Sequence, residues 1–260
     1  MNQTILTTFP TPIVARYYTM DRMATALRPQ FKVALDHLID IGEIYLQLLS
    51  FLAISELAKY EGKRTARTRE VVDMLRSSAL SAGHWLSILK LCATELSELA
   101  DNSPGLFGKD ISKLLGADRL LLEDVDRWPS LRNDTKHDYT KTESAAEKVY
   151  EQYRPRLESL LAHSELLSQV TLFSVSDAVF DTDENVYEIS CFVGMVPERN
   201  ISIVKTPPEI RLSSGAVFAG RRALIDSSQL RDEHEFMSLD PWILMPKSGS
   251  GLVFFNSCKR

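Results

Sequence analysis

The chain has 260 residues, of which 44% are hydrophobic and 25% charged, with a formal net charge of −5 at pH 7. That composition belongs to a globular protein with a sizeable buried core and excludes a collagenous, low-complexity or disordered chain. The acidic balance excludes broad electrostatic binding to nucleic acid or anionic lipid, because such binding rests on clustered Lys and Arg; any nucleic-acid contact must be local.

The 3 cysteines, Cys92, Cys191 and Cys258, are far apart and include no C-x-x-C pair. Neither a disulfide framework nor a zinc site is indicated, and thiols in odd number fit a reducing, cytoplasmic setting. The opening stretch MNQTILTTFPTP has no cationic region ahead of an apolar core, unlike a secretory signal.

From about residue 13 to 169 the apolar residues recur at intervals of three and four, the period of a helix. Leu35, Leu38, Ile41, Tyr45, Leu48, Leu52 and Leu57 form one long stripe, which predicts a central helix. Its most apolar window, Leu38 to Ala58, carries Asp40, Glu43, Gln47 and Glu56 at spacings that make one face polar, so it reads as a buried amphipathic helix and not as a membrane span. Gly42 and Glu43 inside that apolar run need a reason; a solvent-facing position is expected for the acid.

EGKRTART follows as a break, with Lys63, Arg64, Arg67 and Arg69 expected in a solvated turn. REVVDMLRSSAL and HWLSILKLCATELSELA resume the helical period, and DNSPGLFG reads as a loop from its Asn, Ser, Pro and Gly. DISKLLGADRLLLEDVDRW predicts one or two short helices. After the polar stretch SLRNDTKHDYT, Thr140 and Glu143 read as a capping box opening a helix, which Pro155 is expected to kink.

Beyond residue 170 the period changes. VYEISCFVG, ISIVK, GAVFAGRRALI, FMSLDPWILMP and GLVFFNSC are short, rich in β-branched and aromatic residues, and separated by Pro, Gly, Ser and Asp, which predicts a small antiparallel sheet. The expected fold is α+β: a helical bundle over residues 1–169 and a β-rich domain over 170–260. The last strand-like stretch runs almost to the terminus, consistent with a β-module completed by further chain.

SLRNDTKHDYT carries the chemistry. Were residues 130–138 helical, Asn133 and His137 would share a face with Arg132 about 100° round from Asn133; as a turn before a capped helix, the same side chains would lie where an anion is favoured. Either geometry suits a phosphodiester. RNA cleavage without a metal needs a proton acceptor for the 2′-hydroxyl, charge stabilisation on the phosphorane and a proton for the leaving oxygen. Histidine titrates near neutrality and arginine offers a permanent forked charge. A single histidine in the motif favours a two-fold dimer that joins two copies. The structural alternative is a polar corner in which Arg132 pairs with Asp134 or Asp138 and His137 is a surface imidazole.

RNDTKH resembles the R-N-x3-H form of the motif of the HEPN superfamily, small helical bundles that include many metal-independent endoribonucleases of toxin, CRISPR and antiphage systems. In those proteins the motif lies near the start of a late helix, and here it directly precedes the capped one. FPTPIVARYY, the long second helix and SAGHWLSILK also resemble helical modules of bacterial conflict proteins. The resemblance implies a HEPN-like bundle with Arg132, Asn133 and His137 as the catalytic set, RNA as substrate, a homodimer, and no cofactor or metal. It implies Tyr139, in R-x4-H-x-Y, as a modification site, with Lys136, Arg64 and Arg67 as candidate phosphate contacts. The alternative is a non-catalytic adaptor or sensor whose β-module holds a partner protein or larger effector.

Elsewhere His84, beside Trp85, is expected in or near the core. His37 beside Asp36 is a weak candidate for supporting a site residue, because adjacent residues on a helix do not face each other. Asp232, Glu233, His234 and Glu235 read as a solvated turn more readily than as a metal site. No P-loop, G-x-S-x-G or zinc-ligand pair occurs, so ATPase, kinase and hydrolase chemistry finds no support.

Overall fold

The longest apolar stripe in the sequence becomes the axis of the molecule. A computed structural model describes residues 2–60, 65–76, 80–99, 105–116, 127–131, 133, 142–195, 201–244 and 252–254. Helices α1 (Gln3–Thr8) and α2 (Thr11–Ala24) lead into α3 (Phe31–Ala58), followed by α4 (Ala66–Leu75), α5 (Ala82–Leu99) and α6 (Gly108–Gly116). Residues 127–131 add a helical turn, and α7 (Glu143–His163) and α8 (Glu165–Gln169) complete the helical part.

Helix α3 packs against α2, α5 and α7. Its length and mean hydropathy of 1.5 would let it cross a membrane, but 78% of that window is buried inside the protein. A helix enclosed by its neighbours is apolar nearly all round for the same reason that a membrane span is. Leu35, Leu38, Ile41, Tyr45, Leu48 and Leu52 of the predicted stripe are at most 1% exposed. Two of the buried polar side chains inside α3 are matched: the Ser50 hydroxyl donates to the Leu46 carbonyl, and the Tyr45 and Ser164 hydroxyls share a hydrogen bond of 2.5 Å.

Local chemistry sets the helix ends, with two departures from expectation. Thr142 rather than Thr140 caps α7, its hydroxyl accepting from the Ala145 amide at 3.2 Å; Thr140 lies outside the described residues. As the continuing helical period predicts, α7 includes Pro155; Glu151 and Pro155 are exposed, so water can take the carbonyl that the missing N–H leaves free. Arg67 and Arg69 lie on α4, not in a turn, since Thr65 accepts from the Thr68 amide and starts that helix ahead of them.

The chain switches to strands at Val170. β1 (Val170–Phe180), β2 (Asn185–Phe192), β3 (Ile201–Thr206), β4 (Val217–Arg221) and β5 (Phe236–Ser238) form an antiparallel sheet in the order β3-β2-β1-β4-β5, and β6 (Ile243–Leu244) pairs with β7 (Val253–Phe254). The α+β class and the helices-then-strands order are as the sequence predicts. Two details differ. The helical half ends at residue 169 as expected, but no strand is predicted before residue 186, whereas β1 is the central strand. GAVFAGRRALI is half strand and half helix, α9 (Arg222–Asp226).

Register explains the burial. Phe173, Tyr187, Ile189, Cys191, Val204 and Phe218 pack with Ile225 and Leu230 in one core, and Val170, Leu172, Phe192, Val217 and Ala219 join the core of the helices. The main core is therefore continuous across the helix-to-strand switch. Phe51 of α3 meets Trp85, Trp242 and Phe254 at ring distances of 5.1, 6.0 and 6.0 Å. At the other end the main chain of Phe9 and Pro10 bridges to Gly194 and Val193.

Candidate functional site

The helical turn 127–131, which leads into the polar stretch, is mounted on α3 by one side chain. Trp128, in the helical turn 127–131, is 3% exposed, and its indole N–H donates to the Ile39 carbonyl at 3.3 Å. The indole fills the space over Gly42, where an added Cβ would stand 1.5 Å from Nε1. That is the reason the apolar helix carries a glycine. Pro129 abuts Gly83 at the start of α5, its Cβ 4.0 Å from where a Gly83 Cβ would be, and Leu131 is 2% exposed. Tryptophan, proline and leucine fix the turn against two helices, and Asn133, two residues on, is helical and exposed.

Arg132, Lys136, His137, Asp138, Tyr139 and Arg64 lie outside the described residues. Of the residues singled out from the sequence, Asn133 and Arg67 can therefore be placed. Arg67 donates to Glu98 at 2.7 Å and Glu95 at 3.3 Å, so acids of α5 already meet its charge.

Downstream of the polar stretch, the Glu143 carboxylate accepts from the Lys32 amide at 3.2 Å, joining the first turns of α7 and α3. His37 faces Arg16 of α2, whose guanidinium donates to Nδ1 at 3.3 Å and lies 3.7 Å from Asp40. Burial and then the Arg16 charge lower the His37 pKa, keeping the imidazole neutral as an acceptor. Glu43, expected toward solvent, is half-buried. His84, expected in the core, is exposed, and its Nδ1 accepts from the Ser81 amide at 3.1 Å; it caps the start of α5 while Trp85 beside it takes the buried direction.

A second cluster lies where the helices meet the sheet, and the sequence reading missed its role. Glu56 on α3 is 0% exposed, and among the described residues neither carboxylate oxygen has a hydrogen-bond partner. The Leu106 and Phe107 amides approach it without reaching good hydrogen-bond geometry. Burial pushes its pKa up, and Lys59 and Arg221 offset part of the rise. Gly105 leaves the room it needs, since a Cβ there would stand 1.6 Å from Oε1.

Burial lowers the pKa of the neighbouring Lys59, whose ammonium donates to the Phe236 carbonyl at 3.0 Å. Arg221 of β4 donates to the Leu106 carbonyl at 2.6 Å and to Asp110 at 2.5 Å, with its guanidinium over the Phe107 ring. The first turn of α6 is thus held between α3 and β4. No substrate reaches an acid with no exposure, so this cluster acts through packing. Its only sequence signal is an acid inside LAISELAKY.

Among the described residues no three His, Cys, Asp or Glu side chains are gathered to hold a metal ion. Asp232, Glu233 and His234 are exposed and Glu235 is half-buried, in a single 3-10 turn. Comparison with known proteins finds no matching family model, no matching curated protein and no matching solved structure.

Proposed function

We propose that the protein is a metal-independent endoribonuclease of the HEPN type, acting in bacterial antiphage defence or a toxin system, with Arg132, Asn133 and His137 as its catalytic set. The observation that supports this reading is the mount: a turn locked by Trp128 over Gly42 holds Asn133 at the surface, just ahead of the capped helix α7. Groups held on rigid elements can meet a reacting phosphate without reorganising. In this reading His137 takes the 2′-hydroxyl proton, Arg132 neutralises the phosphorane and Asn133 orients the phosphate. The second copy in a homodimer supplies the histidine that protonates the leaving oxygen. The test is incubation of wild type and His137→Ala with total RNA in chelator; cleavage by wild type alone supports the reading, and no cleavage by wild type counts against it.

One observation favours a second reading, a non-catalytic adaptor. On β1 and β3, Val179, Phe180, Ile201 and Ile203 are 63%, 55%, 59% and 45% exposed, and Ile201 and Ile203, two apart on β3, share one face of the sheet. Apolar side chains grouped at a surface mark interaction sites. Under this reading Asp substitutions at Ile201 and Ile203 abolish association with a partner protein, whereas His137→Ala changes nothing.

A further inference from the structure

The end of the sheet nearest α1 carries a cleft of about 720 Å³, within the range that holds a small organic ligand. Leu6 of α1 lines one side; Cys191 of β2, Ser202 of β3 and Arg222, Ile225 and Asp226 of α9 line the other. The cleft is independent of the polar stretch around Asn133.

Its lining carries one cation, Arg222, and one anion, Asp226, at opposite ends of α9. The Arg222 guanidinium is half-buried and donates to the Thr8 carbonyl. Among the described residues it makes no ion pair within 4.0 Å. A guanidinium has five N–H donors and keeps its charge at any physiological pH, so a partly desolvated one facing a cavity favours an anion that accepts from its free donors. Asp226, exposed on the same wall, disfavours a second negative charge on that ligand. One charge fits a carboxylate better than a phosphate monoester, which carries about −1.5 to −2 near neutrality. The rest of the lining is largely apolar, with Leu6, Ile225 and the half-exposed Met195 and Ile201 at hand. Burial, and then Asp226, push the Cys191 thiol up to about 11, so it stays protonated and the site binds without reacting.

We propose that this cleft is a binding site for a small amphipathic carboxylate, its charged end on Arg222 and its apolar body between α1 and β3. Occupancy would tie α1 to the sheet, adding to the backbone bridge between Pro10 and Val193.

The test is calorimetric titration of the full chain with decanoate, decanol and decyl phosphate. Wild type is expected to bind one decanoate per chain, with decanol and decyl phosphate at least about tenfold weaker. Arg222→Gln removes the charge, and Ser202→Phe fills the cleft while leaving Arg222 in place; each is expected to weaken decanoate binding about tenfold or more. Circular dichroism identifies a variant that fails to fold, and the other then decides. Absence of saturable decanoate binding by wild type, decyl phosphate binding as tightly as decanoate, or a folded variant that binds like wild type would each overturn the proposal. None of these outcomes bears on RNA cleavage.

Discussion

Trp128 stands in the space that a side chain at position 42 would fill, with its Nε1 1.5 Å from the place a Cβ would occupy and its N–H on the Ile39 carbonyl. A glycine in mid-helix costs about 1 kcal/mol relative to alanine. Burial of the indole offsets that cost, and the position of the 127–131 turn on α3 follows from the exchange.

Gly42→Ala should therefore expel the indole. The expected loss of stability is about 2–4 kcal/mol, the range for overpacking together with loss of a large buried side chain. Tryptophan emission should shift to the red, and hydrogen exchange should rise across 127–131. Unchanged emission would show that the notch does not hold Trp128.

Asn133→Ala separates site from scaffold. Because Asn133 is exposed, the substitution should move stability by no more than about 0.5 kcal/mol. If the nuclease reading holds, it should lower RNA cleavage by about 10²-fold or more, as loss of one preorganised donor does. Equal loss of stability and cleavage would make Asn133 structural.

Glu56 should make stability depend on pH. Its folded pKa is raised, so the folded chain holds the proton more tightly than the unfolded chain does. The resulting stabilisation is complete below the ordinary glutamate range and is lost as pH rises through the raised value. Glu56→Gln, neutral throughout, should match wild type near about pH 4 and exceed it near about pH 8. Urea unfolding at both pH values reads this out, and parallel pH profiles for the two proteins would contradict it.

Asp21 is 4% exposed and accepts from Arg154 at 2.7 Å, while Arg154 also donates to Glu158 at 3.2 Å. Glu158 accepts from Tyr17 at 2.8 Å, and burial pushes that phenol up to about 12. Arg154→Met should cost about 3 kcal/mol by leaving a buried carboxylate without its cation. Adding Asp21→Asn should restore part of the loss, and a double-mutant cycle without coupling would refute the pairing.

The stripe of α3 was legible because a buried helix repeats at three and four whatever encloses it, and the order of helices before strands followed from the same change of period. β1 was not: its first six residues are buried on both faces, so the two-residue alternation that marks a half-buried strand is absent. Gly42 was visible as an anomaly within an apolar run, but its partner lies 86 positions away, and periodicity carries no information on such pairs. His84 was misplaced because adjacency to Trp85 says nothing of direction; neighbours on a helix point about 100° apart.

By itself the sequence determined the class of fold, the central helix and the polar stretch worth examining, because each is written in local period and residue type. Only the tertiary structure decided that Trp128 fills the notch at Gly42, that Glu56 is enclosed without a hydrogen-bond partner among the described residues, and that Arg222 faces a cleft beside α1. Each depends on which distant segments share a space, and burial and charge acquire their energies only when that space is closed.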